Sequence, residues 1–226
     1  MSALHVFDLD GTLHRRRTAA ELLGEQAGCG DHVTGLEERL STGGMDHITF
    51  AAVTQMLWGG RLTSEHSRAA FAAADWLEGV TEVLEDIRHR GEHAVVVTMG
   101  PDLFARYLEP WVDEVHATPY PAPPSSTPLD VSQAPHPEYK IEAVRSMQLR
   151  MGIAPEVTVA YGDGPSDLEL WAADEVGISV AINPSAGVPK GVTDLTFEDC
   201  QDLRVPYQGV RERLAARAKP AHATAA

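Results

Sequence analysis

The side chains able to do chemistry in this chain fall into four short clusters. Asp8-Leu9-Asp10-Gly11-Thr12 sets two carboxylates two residues apart beside a glycine turn. Thr98-Met99-Gly100 offers a hydroxyl at another turn, and Lys140 is one of only three lysines in the chain. Gly162-Asp163-Gly164-Pro165-Ser166-Asp167 adds two more acids. Grouped carboxylates suit Mg²⁺, a hard cation that takes oxygen ligands. A cation so held neutralises phosphate charge and lets an anionic Asp approach an anionic ester. Asp8 would attack phosphorus and form an aspartyl-phosphate. Asp10 would protonate the leaving oxygen and later take a proton from water. Thr98 and Lys140 would bind the charge spread over the transferring group. Backbone N–H groups around Gly11 and Gly100, at turns leading into helices, would add anion binding.

Each residue also has a plain structural reading. Asp-Gly is a common turn pair. Asp163 and Asp167 suit a turn and a helix start, and Thr98 suits a strand. The chemical reading therefore depends on whether the four clusters meet, and that is a question about elements. Residues 3–9 read as a short buried strand broken at Asp10-Gly11, and His93–Thr98 as a β-branched strand. Further strands are expected at 112–118, 157–161 and 176–182. Helices are expected at 80–90, 101–108, 138–151 and 166–173. Strands alternating with helices predict an α/β fold on a parallel sheet with helices on both faces. Ligands bind such a sheet beyond the carboxyl ends of its strands, where three of the clusters fall, and Lys140, opening the helix after the Pro-rich loop, would converge on the same edge.

Residues 17–77 break the alternation. Ala19–Ala27, Gly35–Leu40, Ile48–Trp58 and Ser64–Leu77 carry apolar residues at helical spacing, separated by glycines. They read as a helical insert after the first strand. The expected division is a core of residues 1–14 and 78–204, a helical cap of 15–77, and a tail of 205–226 whose helix frays. The Pro- and Ser-rich stretch 119–137 reads as a long loop.

Composition narrows the partners. The 226 residues carry a formal net charge of −15, which speaks against nucleic acid and against anionic membranes. No apolar run reaches the roughly 20 residues needed to span a bilayer. With no basic leader before the first strand, a cytoplasmic protein is expected. Cys29 and Cys200 lie far apart and read as idle thiols.

In order and spacing, the four clusters resemble the four motifs of the haloacid dehalogenase (HAD) superfamily over roughly residues 3–183. The resemblance implies a Rossmann-like core, a cap between the first two motifs, and phosphomonoester hydrolysis with Mg²⁺. The metal would be held by Asp8, the backbone carbonyl of Asp10 and Asp163, with Asp167 as a neighbouring ligand or orienting carboxylate. The subgroup most similar is phosphoserine-phosphatase-like, through Trp76-Leu-Glu-Gly-Val, Val97-Thr98-Met99-Gly100 and Thr42-Gly43-Gly44-Met45 with Phe50. Two positions depart from it. Arg17 stands where that subgroup has a cap Glu that binds the serine amino group. Leu57 stands where it has a cap Arg that binds the serine carboxylate.

Arg17, Met45 and Leu57 are accordingly the cap residues expected to meet a small phosphorylated metabolite, less zwitterionic than phosphoserine. The alternative for Met45 and Leu57 is cap core. Arg15-Arg16-Arg17 reads either as an anion-binding patch or as a solvated basic turn. His14 and His47 are further candidates to face the site. The rival functions are phosphotransfer to an alcohol, or phosphoserine hydrolysis itself, within the same superfamily, and a phospho-accepting signalling domain. The last places its acids on different strands and has no such cap.

Overall fold

The computed structural model describes residues 2–133 and 138–218. In chain order the elements are β1 (Leu4–Phe7), β2 (His14–Arg15), α1 (Ala19–Gln26), α2 (Gly30–Ser41), α3 (His47–Trp58), α4 (Ser64–Ala72) and β3 (Asp75–Trp76). They continue as α5 (Val80–His89), β4 (His93–Pro101), α6 (Asp102–Ala105), β5 (Glu114–Thr118), α7 (Tyr139–Met151), β6 (Thr158–Gly162), α8 (Leu168–Ala172), β7 (Ile178–Ile182), β8 (Leu195–Phe197) and α9 (Arg204–Ala218).

Six strands form one parallel sheet in the order β5-β4-β1-β6-β7-β8. β1 is central, paired through Phe7 with Val96 on one side and Tyr161 on the other. Its four residues are all buried, as a strand covered on both faces requires. Helices bury both faces, with Val144 and Met147 on one side and Val83, Leu84 and Ile87 on the other. The expected α/β parallel-sheet core with a helical insert after the first strand is what the chain forms.

The insert is helices α1 to α4. Thr18, Asp46 and Thr63 accept N-cap hydrogen bonds from Glu21, Thr49 and His66, which explains where α1, α3 and α4 begin. α2 starts at Gly30, earlier than the expected Gly35, and carries Gly35 in its interior. α4 stops at Ala72 rather than running to Leu77. Asp75 and Trp76 instead pair antiparallel with Arg15 and His14, so a two-stranded ribbon ties the two ends of the insert together.

The insert and the sheet share one apolar cluster, in which Leu22, Leu23, Phe50 and Trp58 join Leu103, Phe104 and Tyr120. Loop residues 119–133 cross from β5 to α3; residues 134–137 of the expected loop lie outside the described residues. Residues 205–226 were expected as a helix that frays; the helix is present as α9, and residues 219–226 lie outside the described residues. α9 packs Tyr207, Val210 and Leu214 against the sheet. β8 was not expected at all. No described helix is long and apolar enough to cross a membrane.

Candidate active site

Asp8 directly follows β1, and its backbone N–H donates to Tyr161 O at 2.9 Å, which holds it in line with the sheet. The residue is buried, at 7 % exposure. Lys140, from the first turn of α7, donates to Asp8 Oδ1 and to Asp167 Oδ1, both at 2.7 Å. Asp167 Oδ2 accepts from the Asp163 and Gly164 amides at 3.2 Å each. These bonds leave Asp8 Oδ2, 3.5 Å from Thr12 Oγ1, as the freer carboxylate oxygen.

Asp10 points elsewhere. Its Oδ1 accepts from Ala19 N at 2.6 Å and lies 3.0 Å from Nε2 of the buried His14. Its Oδ2 faces Gly100, where a Cβ would sit 2.9 Å away. Gly11 has φ +79°, and a Cβ there would stand 2.1 Å from Asp163 Oδ2. Glycine at both positions gives two acids room to approach the backbone. The buried Thr98 Oγ1 accepts from Gly100 N at 2.9 Å, which leaves the hydroxyl proton free to donate. That bond engages the Gly100 amide, and Gly100 lies on the lining of the cavity over Asp8.

The electrostatics follow from packing acids together. Burial pushes the Asp8 carboxyl up to about 7, although the Lys140 charge opposes the shift. Burial, then repulsion from Asp8 and Asp167, pushes Asp163 up to about 9. Burial alone would lower Lys140, but the carboxylates of Asp167 and Asp8 outweigh it and raise its pKa above the ordinary lysine range. The acids thus lack positive charge, and Asp163 has no cation of its own among the described residues.

Asp8, Asp163 and Asp167 each offer an oxygen within 4.8 Å of the others. An all-oxygen set with surplus negative charge fits a hard divalent cation such as Mg²⁺. The Asp10 carboxylate is not in this group, which leaves its backbone carbonyl as the ligand it could offer.

Residues 5–171, more than half of the chain, match the family model of haloacid dehalogenase-like hydrolases. The chain belongs to this family. A phosphoserine phosphatase of Halobacterium salinarum is 26% identical over 189 residues, covering 82% of this chain and 88% of the relative. A substrate-bound phosphoserine phosphatase structure superposes with a TM-score of 0.77 at 22% identity, over 92% of this chain and 98% of that one. A HAD family hydrolase from Salmonella enterica serovar Typhi gives 0.77 at 16% identity, over 91% and 71%. The resemblance to the phosphoserine-phosphatase-like branch therefore extends well beyond the four clusters.

In this HAD hydrolase, a cavity of about 640 Å³ opens over Asp8, Asp10, Gly11, Thr98, Gly100 and Asp163. Lys140 and Asp167 do not line it; Lys140 Nζ joins Asp8 Oδ1 to Asp167 Oδ1 behind it. Arg17 does line it, as expected, with its guanidinium paired to Glu25. Met45 and Leu57 do not line it. Both are half-buried against the apolar cluster, so the structural evidence favours cap packing over substrate contact. His47 and Phe50 face the cavity, whereas His14 lies buried beside Asp10.

Sequence reasoning missed Glu37, Asn183, Ser185, Asp199 and Gln201, all on the lining. Asn183 follows β7, so the strand-end rule that found the other clusters would have found it too. Glu37 left no such signal, because an acid on an amphipathic helix reads as solvated.

Proposed function

We propose that the chain is a Mg²⁺-dependent phosphatase that hydrolyses a phosphomonoester of a small metabolite through an aspartyl-phosphate on Asp8. Membership among the HAD hydrolases and kinship with phosphoserine phosphatases make it an enzyme of the phosphatase kind. The observation that carries the reading is Asp8 itself. One oxygen is held by Lys140, the other is left for attack, and the residue forms part of a cavity roofed by the helical insert. Mg²⁺ would be held by Asp8, Asp163, Asp167 and the Asp10 carbonyl, and would supply charge neutralisation of the phosphoryl oxygens.

Asp8 Oδ2 attacks phosphorus and the ester oxygen leaves. Asp10, whose Oδ2 has no hydrogen bond among the described residues, gives that oxygen its proton. Water then attacks the aspartyl-phosphate and loses its proton to Asp10. Thr98 Oγ1 donates to the transferring group. Lys140 holds Asp8 in its attacking rotamer and balances its charge. Residues 15–77 act as a cap that excludes bulk water from a core of 1–14 and 78–204. We place the reaction in the cytoplasm.

The test is phosphate release from a panel of phosphomonoesters, with Asp8→Asn and a chelator as controls. Release should need Mg²⁺ and should fall at least 10³-fold in the variant. Transfer of the phosphoryl group to an added alcohol, with no free phosphate, would replace hydrolysis by phosphotransfer. Full activity in Asp8→Asn would overturn the mechanism.

A further inference from the structure

The charged groups of the insert that surround the cavity are unequally satisfied. Arg15 is paired with Asp75 at 3.2 Å and also bonds Gln201. Arg16 is paired with Asp75 at 2.9 Å, and Arg17 with Glu25 at 2.5 Å. Each guanidinium would have to leave an acid before it could take a second anionic group of a substrate.

Glu37 is in the opposite position. It is a half-buried acid on α2 that lines the same cavity. Thr18 Oγ1 donates to its Oε1 at 2.6 Å, and Thr18 is itself fixed as the N-cap of α1 by the Glu21 amide. Glu37 Oε2 accepts nothing from the described residues, and Glu37 has no ion-pair partner among them. The charged groups that act on it are two more acids, Asp10 and Glu21. A carboxylate taken out of water in a field of like charge lacks one thing, a cationic donor.

We infer that Glu37 is a specificity residue that receives an ammonium group on the alcohol part of the substrate, so that the preferred esters are phosphomonoesters of amino alcohols or amino sugars with no second anionic group. The inference rests on the phosphatase reading of the cavity. An ammonium donates a charge-assisted hydrogen bond to Glu37 Oε2 and gains from Asp10 and Glu21 as well. A hydroxyl in the same place also donates to the carboxylate but brings no positive charge to set against the three acids. A carboxylate on the same carbon skeleton meets the same acids and is repelled, and the three arginines on the cavity lining are already paired with acids.

The experiment compares kcat/KM for 2-aminoethyl phosphate, 2-hydroxyethyl phosphate, phosphoserine and p-nitrophenyl phosphate, with Mg²⁺ present, in the whole chain and in Glu37→Gln. The parent should prefer the aminoethyl over the hydroxyethyl ester by on the order of 10–100-fold. It should also prefer it over phosphoserine. Glu37→Gln keeps an acceptor for Thr18 but removes the charge, and should bring the amino-to-hydroxyl ratio close to one. Glu37→Ala should do the same. The ratio is read within each variant, so a change in overall activity does not obscure it.

An unchanged ratio in both variants would overturn the inference, as would a parent that prefers the hydroxyl ester or phosphoserine. These results leave the phosphatase reading standing. No Mg²⁺-dependent release from any of the four esters, p-nitrophenyl phosphate included, would instead remove that reading, and the inference with it.

Discussion

At the scale of single residues, two carboxylates two positions apart do different work because their surroundings differ. Asp8 is gripped by an ammonium from behind, whereas Asp10 is turned aside by the Ala19 amide and by His14. Glu37 shows the cost of an acid without such a partner. Burial, against the Thr18 hydrogen bond and with repulsion from Asp10 and Glu21, pushes its carboxyl from the ordinary 4.5 up to about 7. A carboxyl whose pKa rises on folding binds more protons folded than unfolded between the two values. Stability therefore falls as pH climbs from 4.5 to about 7, and this contribution is level on either side of that window. Glu37→Gln removes the titration. Melting of the variant and the parent should differ little near pH 4 and diverge as pH rises, until the variant is the more stable by on the order of 1–3 kcal/mol at pH 8. Melting temperatures across that range check it, and a difference that stays constant with pH would show that Glu37 is ionised at its ordinary value.

At the scale of elements, the site is a set of strand ends plus one insert. The strand ends were legible because buried parallel strands are written as short apolar runs that stop at polar or glycine residues, as β1 does at Asp8 and the β-branched run of β4 does before Gly100. The contacts between insert and core were not legible, because they join residues far apart in the chain. Thr54 and Tyr120 share a hydrogen bond of 2.9 Å, and Gln55 Nε2 donates to Thr127 O at 2.9 Å and Ser125 O at 3.3 Å. In sequence, Gln55 is one polar residue in an apolar helix, and 119–133 is a Pro-rich loop. In the fold, the first pins the second across the insert.

Gln55→Ala takes both donors from the loop carbonyls and should cost about 1 kcal/mol, a fall of roughly 2–4 °C in melting temperature. The loop should also be cut sooner in limited proteolysis. Unchanged protection would mean that Tyr120, wedged 5.0 Å from the Trp58 ring, holds the loop without help.

At the scale of the whole molecule, the element whose role its sequence least reveals is α9. Its apolar residues Tyr207, Val210 and Leu214 keep helical spacing but stand among arginines, so the helix is legible and its docking on the sheet is not. The fold uses those arginines as anchors. Arg211 grips Glu92 at 2.6 Å through both carboxylate oxygens, and Glu92 reaches His5 of β1 at 3.2 Å. Tyr207 donates to Asp86 on α5 at 2.7 Å. α9 therefore braces the foot of the strand whose other end presents Asp8.

Burying each of the three apolar side chains is worth about 1.5–3 kcal/mol, and together they rival the 5–15 kcal/mol that keeps a typical domain folded. A chain ending at Leu203 should melt more than about 10 °C below the full chain. Val210→Asp, which places one charge against the sheet, should lose a smaller part of that stability without shortening the chain. The two melts together separate a brace from an appendage. If both matched the parent, β1 would owe its position to β4 and β6 alone, and the catalytic core would close before α9.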